Sequence, residues 1–319
     1  MRVLVFGATG TIGRATVKAL RERGHAVVCF GRPLRGALPP ELDGAELRTG
    51  DVRTGASIVQ FGFRGEVFDA VVSCLASRSG IPADAWAIDH AAHLEILAAA
   101  KAAGVRQMVL LSAICVQKPL LAFQQAKLAF ETELQRSGLI WSIVRPTAFF
   151  KSLAGQVERV RAGKPFLVFG DGTLTACKPI SDADLGAYLA ECLTDETRFH
   201  RILPIGGPGP AITPREQGEA LFKLLDTPPR FSAVPVKLLD VIIAVLQTLG
   251  RVIPPLAAKA ELARIGRYYA TESMLVLDPA TGQYNADATP ETGQITLEAY
   301  YAALIDGREV LERGEHAVF

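Results

Sequence analysis

Apolar residues in this chain gather in short runs of strand length, separated by stretches where they recur at helical spacing. Runs rich in Val, Leu, Ile and Phe occupy 2–6, 26–30, 70–74, 108–111 and 140–144. Between most of them the apolar positions repeat with a helical period, at 11–23, 83–103 and 120–137. A strand that is apolar on both faces must be covered on both, so this alternation predicts a parallel sheet with helices on each side. That is the doubly wound α/β class of the Rossmann type. After 144 the rhythm breaks: glycine and proline concentrate at 169–173 and 205–214, and the remainder reads as helix-rich. The expected division is a dinucleotide-binding domain over 1–200, with 146–180 contributing to a substrate cleft, and a smaller helix-rich substrate lobe over 201–319.

Directly after the first run stands GATGTIG, with Gly7, Gly10 and Gly13 opening a helical segment. Glycine permits the tight turn and lets backbone N–H groups at a helix N-terminus approach a pyrophosphate. The spacing is persuasive because it follows a strand and precedes a helix. Thr9, Thr11 and Ile12 belong to the same loop. Where an NAD site places a carboxylate at the end of the second strand, this chain has Arg32, a partner for the 2′-phosphate of NADP. Asp51 and Val52, after a third strand, are expected to flank the adenine. Leu75 and Ala76, at the end of a later strand, are expected on the nicotinamide side.

Composition removes other classes. With 319 residues, 49% hydrophobic, the chain can bury a sizeable core. Its 34 basic and 33 acidic residues leave a net charge of +1, without the cation excess that nucleic-acid binding requires. The opening MRVLVFGATG passes into glycines too soon for a signal peptide. Five cysteines, Cys29, Cys74, Cys115, Cys177 and Cys192, form no C-x-x-C pair; an odd, scattered set predicts core thiols in a reducing, cytoplasmic setting.

The N-terminal pattern resembles the extended and atypical short-chain dehydrogenase/reductases, which carry Ser and then Tyr-x-x-x-Lys. Ser112 matches the first position and Lys127 the last, while the tyrosine position holds Phe123. A phenyl ring transfers no proton. Longer blocks narrow the resemblance: SAICVQKPLLAFQQAKLAFETEL from Ser112, SIVRPTAFFKSLAGQVERVRAGKPFLVFGDG from Ser142, CKPISDADL from Cys177 and IGRYYATESMLVLDPATGQY from Ile265. These resemble the NADPH-dependent 3,8-divinyl (proto)chlorophyllide 8-vinyl reductases, a family that likewise lacks the tyrosine.

The resemblance implies reduction of the 8-vinyl group of a magnesium tetrapyrrole to ethyl in chlorophyll or bacteriochlorophyll synthesis, with NADPH as cofactor and a working place beside the photosynthetic membrane. Alignment then matters more than a strong acid, because the macrocycle spreads developing charge. Lys127 and Lys151, or water, are the candidate proton sources, and Lys127 is expected to order the cofactor. Pro146 and Thr147 are expected to turn over the cofactor, Phe149 and Phe150 to stack on a flat ring, and Lys151, Lys178 or Arg267 to anchor a propionate. Two other functions fit the same residues: an NADP-sensing assembly protein without activity, and an ene-reductase of another conjugated substrate.

Two further features need a reading. His90 and His93 stand one helical turn apart beside Asp89, but no third ligand is apparent, and no metal site is expected. Over 234–252 the polar positions share a narrow arc, leaving an apolar face wider than a core stripe. The helix either lies within the second lobe, lining a cavity, or rests on a membrane; the scarcity of cations favours the buried option.

Overall fold

The computed structural model describes residues 1–34 and 36–309. Its strands run in chain order β1 (Arg2–Phe6), β2 (Ala26–Gly31), β3 (Glu46–Thr49), β4 (Ala70–Ser73), β5 (Gln107–Leu111), β6 (Ile140–Pro146), β7 (Phe166–Phe169), β8 (Arg201–Ile205), β9 (Phe231–Val234) and a two-residue antiparallel pair, β10 (Val276–Leu277) and β11 (Tyr284–Asn285). Seven of them form one parallel sheet in the order β3-β2-β1-β4-β5-β6-β8. The chain winds outward from β1 to β3, then crosses back to β4 on the other side of β1. This reversal opens a crevice at the carboxyl ends of β1 and β4, where such sheets bind ligands.

The strands form where the apolar runs predict because burial on both faces suits their Val, Ile and Phe side chains. Val3, Leu4, Val5 and Phe6 are wholly buried, as are Val71 and Val72 beside them. The helices Thr11–Glu22, His93–Ala102, Ala122–Gln135 and Asp182–Glu191 accompany this sheet. Leu4, Phe30, Ile96, Met108, Phe130 and Ile143 join one core cluster, each burial contributing about 1.5–3 kcal/mol. The residues Trp86–Ala92, which lead into His93–Ala102, wind as a π-helix, a rare form that often marks functional positions.

The described chain falls into two compact units. The first comprises Met1–Ser77, Pro82–Pro146 and Asp182–Ile205; the second comprises Arg78–Ile81, Thr147–Ser181 and the described residues from Gly206 onward. This differs from the expected boundary at 200. β8 stays with the first unit because it pairs with β6. The stretch 147–181 joins the second because Phe149 bridges Ile180 and β7 pairs with β9. Residues 310–319 of the expected lobe lie outside the described residues. The β7–β9 pair is a strand element in a part of the chain expected to be helix-rich; at four residues each, these strands are too short for alternation to announce them. The second unit's core gathers Phe150, Val157, Phe166, Leu221, Phe222 and Tyr301, and the Tyr301 hydroxyl donates to the Leu153 carbonyl at 2.9 Å.

The helix Val236–Gly250 corrects an expectation. It is not buried: Ile243 is its one buried residue, while Leu238, Val241, Ile242, Val245 and Leu249 are all exposed. It packs on one side against the helix Pro254–Thr271, and a single neighbouring layer covers a single face. Among the described residues no helix is long and apolar enough to cross a membrane.

Candidate active site

The glycine loop is built by close contacts that only glycine allows. Gly7 has φ +73°, and a Cβ there would stand 2.5 Å from the Cys74 carbonyl carbon at the end of β4. A Cβ on Gly13 would come within 2.0 Å of the Gly7 carbonyl oxygen. Gly10 differs: a Cβ would meet only the Gly7 oxygen, at 3.4 Å, so space lies open above it. Gly10 also caps the helix Thr11–Glu22 with no side-chain bond to the first turn, and that turn holds no acidic residue. A helix N-terminus with no side-chain cap, the positive end of its dipole and the space above Gly10 together suit an anion such as a pyrophosphate. Thr9 is exposed beside it, Thr11 half-buried and Ile12 buried. Leu75 and Ala76 follow β4, half-buried and exposed respectively.

At the end of β2, Arg32 is exposed, and β3 lies alongside through Gly31 and Thr49. Asp51 lies in the next turn with its backbone N–H donating to Ser57 Oγ at 2.9 Å; Val52 is buried. The Asp51 carboxylate accepts from Arg53 Nη2 at 2.8 Å and from its Nε at 3.0 Å. These bonds, with a smaller contribution from the nearby Arg32 charge, pull the Asp51 carboxyl down to about 2. Arg53, a second guanidinium at this corner, was not singled out from the sequence, although Asp-Val-Arg two residues past a strand end is a legible signal.

Lys127 is held by a buried carboxylate. Its Nζ donates to Asp89 Oδ1 at 2.9 Å, with the lysine side chain 11% exposed and the aspartate wholly buried. The Ser77 N–H donates to the same oxygen at 3.3 Å, while Oδ2 has no partner among the described residues. Burial pushes the Asp89 carboxyl up, but the Lys127 ammonium and the Ser77 bond outweigh it and hold the group below the usual range. Lys127 therefore faces a fixed negative charge from the π-helical turn. Phe123, one helical turn earlier, is half-buried.

Ser112 does not present a free hydroxyl. Its Oγ donates to Glu131 Oε1 at 2.5 Å, and Glu131, 1% exposed, also accepts from Arg145 Nε at 3.2 Å and from Arg145 Nη2. The geometry makes Ser112 part of a buried Ser112–Glu131–Arg145 network that ties β5, the helix Ala122–Gln135 and β6 together. Pro146 closes β6, and the Ser112 N–H donates to Val144 at 2.7 Å.

His93 is a core residue. Its Nδ1 lies 2.9 Å from the Ile88 carbonyl and its Nε2 lies 2.9 Å from Ser73 Oγ. A carbonyl only accepts, so the proton is on Nδ1, and the neutral ring takes the serine hydrogen at Nε2. Burial, then the Lys127 charge, lowers its pKa to about 4. An unfolded histidine titrates near 6.5, so the unfolded chain binds more protons between those values and stability falls as pH drops from about 6.5 to 4. His93→Gln is expected to flatten that slope by up to about 1 kcal/mol per pH unit, read from urea unfolding at pH 7 and pH 5. Equal slopes in the two proteins would contradict it. His90 instead stacks edge-on against Trp86, with centroids 5.4 Å apart. Among the described residues no three His, Cys, Asp or Glu side chains group as metal ligands. None of the five cysteines forms a disulfide, and burial pushes Cys29 and Cys177 up to about 12.

The substrate residues expected from sequence all lie in the second unit, and several are already engaged. Thr147 Oγ1 donates to the Lys178 carbonyl, and the Ile180 N–H donates to Ala148 at 2.9 Å, so 147–150 and 177–180 run side by side. Phe149 is half-buried, with Lys151 half-buried two residues on. Phe150 is 2% exposed against Tyr300, ring centroids 5.3 Å apart; packing in the core, not stacking on a ligand, explains it. Lys178 Nζ lies 3.2 Å from Glu291 Oε2 and 3.3 Å from the Thr289 carbonyl. Arg267 pairs with Asp240 on the neighbouring helix, away from the 147–150 segment in sequence and in partners. Neither Lys178 nor Arg267 is thus a lone cation awaiting a carboxylate, because the fold supplies one to each.

Comparison with known proteins agrees with this arrangement. The profile of an NAD(P)H-binding family matches residues 7–196. The divinyl chlorophyllide a 8-vinyl-reductase, chloroplastic, of Oryza sativa subsp. indica is 50% identical, the match covering 99% of this chain and 82% of that one. The protein of the same description from Arabidopsis thaliana is 49% identical, covering 99% and 79%. Among solved structures, an NADPH-dependent quinone oxidoreductase from Escherichia coli, complexed with NADPH, superposes with a TM-score of 0.65. It is 18% identical and the match covers 95% of this chain and 99% of that one, a likeness of fold.

Proposed function

The chain belongs to the divinyl chlorophyllide a 8-vinyl-reductase family, and from that membership we propose that it reduces the 8-vinyl group of a divinyl (proto)chlorophyllide to ethyl with NADPH. What carries the reading is identity near one half along 99% of the chain. The local geometry fits it. When bound, the nicotinamide supplies a hydride, and the conjugated macrocycle accepts it. Gly7 and Gly13 shape the loop, and the N–H groups after Gly10 face a pyrophosphate. Lys127, held by Asp89, keeps an ammonium at the site despite Phe123; it orders the nicotinamide ribose and passes a proton toward the substrate. Ser112, engaged with Glu131, supports the fold around it. Substrate contact is assigned in this reading to half-buried Phe149 and Lys151 of the second unit. Flat tetrapyrroles partition into membranes, so peripheral membrane contact is part of the same reading.

Anaerobic incubation with divinyl chlorophyllide and NADPH tests the proposal. The expected product carries two more hydrogens with a shifted Soret band; unchanged substrate mass with NADPH bound would overturn it. Arg32 carries the cofactor preference. Arg32→Glu is expected to raise the NADPH KM by about tenfold or more and leave that for NADH little changed, since it removes a phosphate partner and adds a repelling charge. An unchanged NADPH/NADH ratio would assign the 2′-phosphate elsewhere.

A further inference from the structure

The helix Val236–Gly250 and the helix Pro254–Thr271 form a hairpin whose inner faces pack together so closely that a Cβ on Gly250 would stand 2.8 Å from the Ala257 nitrogen. Leu238, Val241, Ile242, Val245 and Leu249 follow helical spacing and fall within one arc of the first helix, between its packed side and its polar side. They are 38–59% exposed, and Val252 and Ile253 at the hairpin tip continue the apolar surface at 83% and 48%. An exposed stripe of this kind marks an interaction surface.

Its charges say what covers it. Residues 236–271 hold five cations, Lys237, Arg251, Lys259, Arg264 and Arg267, against two carboxylates, Asp240 and Glu261, so 5 − 2 = +3. Both carboxylates are paired within the hairpin, Asp240 with Arg267 and Glu261 with Arg264. Exposed Lys237, Arg251 and Lys259 make up the surplus, at the start, the tip and beyond the turn. A second copy meeting this face across a two-fold axis would set like charges against each other. An anionic lipid surface instead complements both features, because apolar side chains enter the acyl boundary while lysine and arginine meet headgroups.

We propose that the 236–271 hairpin is a peripheral docking element for anionic membranes, laying the Leu238–Leu249 stripe into the interface. This rests on, and sharpens, the membrane contact included in the functional reading. The full-length protein is expected to float with vesicles of phosphatidylglycerol and phosphatidylcholine. With pure phosphatidylcholine or at high salt, flotation falls by about fivefold for each cation that no longer contributes. Val245→Asp/Leu249→Asp should abolish flotation while keeping the melting temperature, because both side chains are already in water. Turnover of detergent-dispersed divinyl chlorophyllide, measured on the same samples, separates the two readings: retained turnover with no flotation of the parent protein overturns the docking proposal alone. Flotation insensitive to the double variant, or a concentration-dependent dimer that the variant dissociates, would also overturn it, the latter assigning the face to a second copy.

Discussion

Lys127→Met is expected to lower kcat by about a hundredfold or more and to lose about 3–5 kcal/mol of stability at the same time. The two effects have different origins. Stability falls because the wholly buried Asp89 carboxylate loses the ammonium 2.9 Å away, its other oxygen having no partner among the described residues. Turnover falls because, in the proposed function, Lys127 orders the ribose and passes a proton to the substrate. The double variant Lys127→Met/Asp89→Asn separates them: neutralising the stranded carboxylate should restore most of the stability and none of the turnover. Steady-state kinetics beside urea unfolding reads both quantities. Recovered turnover in the double variant would show that Lys127 is merely the counter-ion of Asp89.

The glycine loop offers the second large effect. Gly13→Ala drives a Cβ to 2.0 Å from the Gly7 oxygen, a backbone collision that no rotamer relieves. Both NADPH affinity and folding stability should suffer, affinity by about a hundredfold as the helix N-terminus is displaced from the pyrophosphate. Gly10→Ala is the contrasting case, since at 3.4 Å its Cβ meets only ordinary contact. It should leave the melting temperature within about 2 °C of the parent and still weaken NADPH by about tenfold, because the methyl group occupies the space into which a pyrophosphate comes. Calorimetric titration together with thermal melts distinguishes the pair. A Gly10→Ala protein that binds NADPH normally would move the pyrophosphate away from this loop.

Much of this was legible from residue pattern alone, for physical reasons. β1, β4 and β5 are buried along their length and β2 nearly so, which keeps their apolar runs unbroken, whereas β3 is largely exposed and carries no such run; in the loop, Gly7 and Gly13 are sterically required. The edge strand β8 was less visible: Arg201 and Ile202 are exposed and Pro204 interrupts it, so it reads as loop. Partners across the fold were not legible. Nothing adjacent to Lys127 in sequence points to Asp89, 38 positions earlier, and beside His90 and His93 that carboxylate suggests a metal instead. Ser112 matched a catalytic spacing, yet Glu131 on the same helix as Lys127 takes its hydrogen, a pairing that only the packing of β5 and β6 reveals. The apolar arc of 236–250 was visible, but whether it faces core or solvent depends on how many neighbours the fold supplies, and the hairpin supplies one.

Transfer of label from NADPH deuterated at the nicotinamide C4 to divinyl chlorophyllide, followed by mass spectrometry of the product, tests the central claim most directly. The account predicts a product heavier than the substrate by one deuterium and one protium, with the deuterium in the new 8-ethyl group, and loss of this signal in Lys127→Met/Asp89→Asn. A reduced product without deuterium, or label located elsewhere on the macrocycle, would contradict direct hydride delivery to the vinyl group.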